Sequence, residues 1–154
     1  MSATDELRSW FWIIPYWVIS YSIVMIVSIT VGSIIAHGLY WVAYLIMVPI
    51  LIIPIVYKNL VGGGCSLRFQ ICAFVKGAFV GMLFFIVSML VDPFVWNLLQ
   101  PSLGWNALSI EGFTALIYQI WFYSGFFGGL GARIVEVRGY EQTSTITVAG
   151  FEDR

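Results

Sequence analysis

The sequence predicts an all-α integral membrane protein with four transmembrane helices and both chain ends in the cytoplasm. Three observations predict it. Of 154 residues, 60% are hydrophobic and 10% charged, whereas soluble domains carry roughly 25% charged residues. Too little polar material remains to cover a water-facing surface, and the mean hydropathy is +0.94. Four apolar runs each approach the roughly 20 residues that a helix needs to cross a bilayer. Threading those runs through a membrane leaves every Lys and Arg on one side, the pattern of cytoplasmic connections.

Residues 1–9, MSATDELRS, set one Arg against Asp5 and Glu6, a poor positive n-region. The apolar run behind them is longer than a signal peptide's 7–15 residues, so the first segment is expected to be retained as an anchor. It covers about residues 11–36. The second span covers about 40–57 and contains Pro49 and Pro54, which predict a bent or locally unwound helix. Its stretch LIMVPILIIPIV carries no polar side chain and is expected to meet lipid on several sides. The third span covers about 71–91 and is expected to stop at Asp92-Pro93, because a residue before proline avoids helical geometry. The fourth covers about 112–132.

Between the third and fourth spans, PFVWNLLQPSLGWNALSIEG predicts a short interfacial helix, then a turn at Pro101 to Gly104. Residues 1–138 form one transmembrane domain on this division, and 139–154 form a polar cytoplasmic tail. Within the tail, TSTITV has β-branched residues in strand-like alternation.

Arg8 precedes the first span, Lys58, Arg68 and Lys76 surround the second connection, and Arg133, Arg138 and Arg154 follow the fourth span. The two remaining connections hold no basic residue. Trp10, Trp12 and Trp17 cluster at one boundary and Trp41, Trp96 and Trp105 at the other, as aromatic belts at headgroup level do.

Three spans carry small residues at helical spacing. These are Ser28, Gly32 and Ala36 in the first, Ala73, Gly77 and Gly81 in the third, and Gly125, Gly128 and Ala132 in the fourth. Small residues four apart let membrane helices approach closely, so these faces are expected to pack within the bundle or between subunits. The second span shows no such face.

Charged and polar candidates are few. Lys76 and Asp92 are sixteen positions apart, about 24 Å along a helix, so they cannot pair. Both are expected at the membrane boundaries, Lys76 snorkelling to the cytoplasmic interface and Asp92 in the outer headgroup region. Asp92 and Glu111 would then form a cation-attracting outer mouth, and Gln119 is the one large polar side chain placed near mid-depth, with Tyr123 one turn away. Arg133 and Glu136 suit an ion pair three residues apart. His37 is the only histidine and could reach Asp92, but one histidine excludes a bis-histidine haem within one chain. Cys65 and Cys72 lack the close spacing of zinc or redox motifs and read as free thiols. VGGGCS lacks the Lys of a phosphate-binding loop.

With no complete catalytic constellation, the expected function is a non-catalytic structural or accessory subunit of a larger membrane complex, packing through its small-residue faces. The alternative is a homo-oligomeric channel or transporter for a small solute or ion, lined by Gln119, Asp92, Glu111 and Lys76. No cofactor or metal is predicted from this chain alone. The expected partners are the lipid bilayer and other membrane subunits or further copies, with nothing in a net charge of −1 to attract nucleic acid. The expected location is the cell membrane.

Overall fold

The computed structural model describes residues 10–61, 73–110 and 115–149. These form four α-helices: α1 (Ile13–Ile34), α2 (Leu39–Leu60), α3 (Ala73–Leu103) and α4 (Gln119–Ala149), with single 3-10 turns at Ala107–Ser109 and Ala115–Tyr118. There is no strand among the described residues. The helices α1, α2 and α3 are long and apolar enough to cross a membrane. At 22 residues each, α1 and α2 measure about 33 Å, and the 31 residues of α3 about 46 Å.

The chain runs up and down. Trp10 meets Phe79 and Trp17 meets Ser88, so α1 and α3 are parallel. Gly81 faces Gly125 and Gly77 faces Gly129, so α4 runs against α3. Tyr44 meets Trp121 and Val56 meets Gly128, so α2 and α4 are parallel. The tightest packing joins α3 to α4, while α2 lies between α1 and α4. The backbones of α1 and α3 scarcely touch, and long side chains bridge them.

Several expectations change here. Asp92-Pro93 does not end the third helix, and the separate interfacial helix is instead the last part of α3. In apolar surroundings, breaking a helix strands backbone polar groups without water, and that cost outweighs the local preference of a pre-proline residue. Pro93 and Pro101 both lie inside α3 and are exposed. The helix stops at Gly104, whose φ of +74° closes the end through its N–H to the Gln100 carbonyl at 2.9 Å. Helix α2 likewise passes through Pro49 and Pro54 without interruption.

That helix also has a packing face, which the search for small residues did not reveal. Tyr40, Tyr44, Val48, Ile52, Val56 and Leu60 recur every four positions and are all buried. They pack as bulk: Val56 fits the notch left by Gly128, where an added Cβ would lie 2.8 Å from its own Cβ. The polar tail is not extended. Helix α4 continues through TSTITV to Ala149, since a lone strand would leave its backbone groups unpaired, whereas a helix pairs them internally.

Candidate functional site

The buried face of α3 is Ala73, Gly77, Val80, Gly81, Phe84, Ser88, Asp92 and Trp96. It divides into two regions. Toward the start of α3, an added Cβ would lie 2.6 Å from the Gly129 Cα at Gly77, and 2.5 Å from the Phe122 carbonyl oxygen at Gly81. Backbone therefore rests on backbone along this seam. Gly125 and Gly129 supply the opposing surface, with an added Cβ at Gly125 only 2.5 Å from the Gly81 Cα.

Past Phe84 the glycines stop, and Ser88 and then Asp92 take the same face. Asp92 is shielded from the surroundings by the protein itself: its relative exposure is 0%. Because α3 stays helical through Pro93, Asp92 continues the stripe from Ser88 and turns inward. The Tyr21 hydroxyl of α1 donates to Asp92 Oδ1, and the Tyr118 hydroxyl, just ahead of α4, donates to Oδ2 at 2.5 Å. One carboxyl thus ties three segments together. Tyr40 and Tyr44 bring two further hydroxyls within electrostatic range from α2.

Aromatic rings wall the carboxyl. Trp17 stacks on Tyr21 with centroids 5.0 Å apart and donates to Ser88 Oγ at 3.0 Å. Trp121 donates to the Tyr44 hydroxyl at 2.8 Å, and Tyr44 stands edge-on to Tyr118. Tyr40 packs edge-on against Trp96 and donates to Met25 Sδ at 3.1 Å. Trp41 donates to the Ala107 carbonyl at 3.0 Å. Trp41 and Trp96 are buried within the bundle, at 5% and 0% exposure, and the buried Trp41 N–H finds its partner inside the protein. The Trp96 N–H itself, together with Ser20 Oγ and Ser28 Oγ, is buried without a hydrogen bond.

Among the described residues, no base faces Asp92. Among the described basic residues, Lys76 is sixteen positions away on the same helix, Lys58 and Arg133 lie at the opposite end of the bundle, and Arg138 is further along α4. The described ion pair is Arg133 with Glu136 at 3.5 Å. His37 stacks on Trp105, centroids 4.8 Å apart, and the carboxyl oxygens are held by tyrosines instead. A buried acid inside a membrane-type bundle is costly and marks functional sites.

The remaining sequence candidates fall as follows. Gly32 is buried against Trp105 and Tyr40, and Ser28 and Ala132 are buried. Ala36 is exposed in the turn after α1, its carbonyl accepting from Leu39. Gln119 is exposed on the outside of the bundle, as is Tyr123, and Lys76 is half-buried. Gln119, Asp92 and Lys76 are thus not brought together within the chain. Glu111, Cys65, Cys72, Arg8 and Arg68 lie outside the described residues.

Gly129, Tyr40 and Tyr44 are site and seam residues that the sequence reading passed over. The four-residue recurrence of Tyr40 and Tyr44 with Val48 and Ile52 was the available signal. No protein-family model matches this chain, and neither does any curated protein or solved structure.

Proposed function

We propose that this chain is a four-pass protein of the cell membrane, with both ends in the cytoplasm, that binds a small cation at Asp92 and passes it through its own bundle. Helix α4, with its preceding turn, supplies the fourth span, and the one-sided distribution of Lys and Arg supplies the orientation. The observation that carries the reading is Asp92: a carboxyl with no exposed surface, no base beside it among the described residues, and donors from Tyr21 and Tyr118. Such a group lacks a positive charge, and a cation completes it. The site lies inside one chain, so the reading departs from a pore lined by Gln119 between copies. No catalysis is assigned to it.

Proteoliposomes test this directly. Potential-driven cation flux is expected from the intact chain and is expected to collapse in Asp92→Asn. Equal flux in both would refute the proposal. An engineered cysteine near the end of α4 should resist membrane-impermeant labels in intact cells, and labelling from outside would overturn the orientation.

A second reading, a non-catalytic accessory subunit, draws on a different observation. Gln119 and Tyr123 face outward one turn apart, and α4 continues past Ala132 beyond the described ends of α2 and α3. A partner chain would cover both. Its earlier support is weaker, because the ridges of α3 and α4 are already occupied by each other. Native mass spectrometry from mild detergent decides: co-purifying subunits favour this reading, and a monomer removes it.

A further inference from the structure

We propose that the cation taken up at Asp92 is a proton, and that its arrival loosens the junction joining α1, α3 and α4. The inference rests on the reading of Asp92 as a cation site and names the cation. Three features of the geometry point to it.

Both carboxyl oxygens are already engaged. The Tyr118 hydroxyl stands 2.5 Å from Oδ2 and the Tyr21 hydroxyl is on Oδ1. A metal ion needs several oxygen ligands around it at 2 Å or more, and the described residues contain no cluster of acidic, histidine or cysteine side chains that would add them. An ammonium group would have to displace a tyrosine. A proton needs no room.

The described titratable groups around the carboxyl are phenols: Tyr21 from α1 and Tyr118 ahead of α4 bond its oxygens, and Tyr40 and Tyr44 of α2 are within electrostatic range. On α3 itself the neighbours one turn either way are Ser88 and Trp96. Among the described residues, no lysine, arginine or histidine faces it from a packed element, so none of their fixed positive charges competes for the site.

The junction can keep its partners through the change. The carboxylate accepts one proton from the aqueous phase and becomes a neutral acid, with no other bond made or broken. The new O–H donates to one tyrosine oxygen, whose own proton turns away, while the second tyrosine still donates. Two charge-assisted bonds become one ordinary bond in each direction. Bonds to an ionised group are roughly twice as strong as neutral ones, so the clamp is tighter empty than loaded. Because the backbones of α1 and α3 meet mainly through side chains, this junction is where their spacing can change.

Infrared spectroscopy of the full chain in lipid nanodiscs tests the inference, titrating between about pH 4 and pH 10, from free carboxyl to free phenol values. A carbonyl band of a protonated acid is expected to rise with acidification, to vanish in Asp92→Asn, and to shift in Tyr118→Phe and Tyr21→Phe, which retain the carboxyl. Tryptophan fluorescence from the Trp17 stack on Tyr21 is expected to change with the band. A band unaltered by Asp92→Asn, or a carboxylate signature constant over the titration, overturns the proposal, as does a band indifferent to both tyrosine variants. Circular dichroism confirms that each variant is folded. Asp92-dependent flux of sodium, potassium or tetraphenylphosphonium with no pH-linked band would leave the cation site standing and remove the proton. A pH-linked band without flux would keep the proton and remove the translocation.

Discussion

The two halves of the α3 face are held by opposite means. Along the Gly77, Gly81, Gly125 and Gly129 seam, side chains are absent and two backbones touch. Around Asp92 the helices are held apart by Tyr21, Tyr44, Trp96, Tyr118 and Trp121, and hydrogen bonds cross the space. The seam gains only dispersion, which is individually small and needs close approach. The aromatic end gains directional bonds, each worth about 1 kcal/mol net and more when charged. A seam of that kind has one arrangement. A network of rotatable hydroxyls around an acid has more than one, and the proposed function uses that freedom.

Four substitutions bear on the contrast. The largest effect is expected at the seam. Gly125→Leu places atoms where the Gly81 backbone already lies, and neither backbone can yield without separating α3 from α4. We expect a loss of about 3 kcal/mol or more, at the upper end for overpacking, read as loss of the monodisperse species and of the thermal transition in detergent. A tolerated leucine would show that the seam is not close-packed.

Next comes Tyr118→Phe, which removes one donor from Asp92 while keeping the ring. Hydrogen bonds to charged groups contribute about 1.5–3 kcal/mol, and a destabilisation in that range is expected by denaturant or thermal titration. A double-mutant cycle with Asp92→Asn should show coupling, because both changes remove one bond. Additive losses would mean that Tyr118 acts by packing alone.

Gly104→Ala isolates backbone strain. Nothing lies within 4 Å of an added Cβ there, so only the positive φ opposes it. A cost of about 1 kcal/mol is expected, with Trp105 less well seated beside Gly32 and Tyr40. A neutral result would place the end of α3 in another backbone conformation.

The smallest effect is expected from Gln119→Leu. Its side chain faces away from both regions, and exposed substitutions usually stay within about 0.5 kcal/mol. Stability and cation flux should both be unchanged. A loss of flux would move the pathway from Asp92 to the outside of the bundle.

Much of the helical scaffold was legible in the sequence because apolar length alone reports it. The starts of α1, α2 and α3 fall close to the predicted spans, and the small residues at 77, 81, 125 and 128 meet neighbouring helices. The site was less legible for a specific reason. Asp92-Pro93 reads locally as a helix end, and a helix end places the aspartate in water. Once α3 continues, the spacing Phe84, Ser88, Asp92, Trp96 is one stripe, and the acid faces the core. The burial of Trp41 and Trp96 was hidden in the same way, since tryptophans near the ends of apolar runs look alike whichever way they turn.

By itself, the sequence determined that this chain is helical and membrane-suited, because hydrophobic length and the scarcity of charge are properties of composition that no fold can alter. Only the tertiary structure decided that Asp92 lies buried between Tyr21 and Tyr118, and that Gly129 joins the seam. Those facts depend on how far each helix runs and how it is rotated against its neighbours. Backbone groups in apolar surroundings must remain paired, and that long-range requirement overrode the local preference at a single proline.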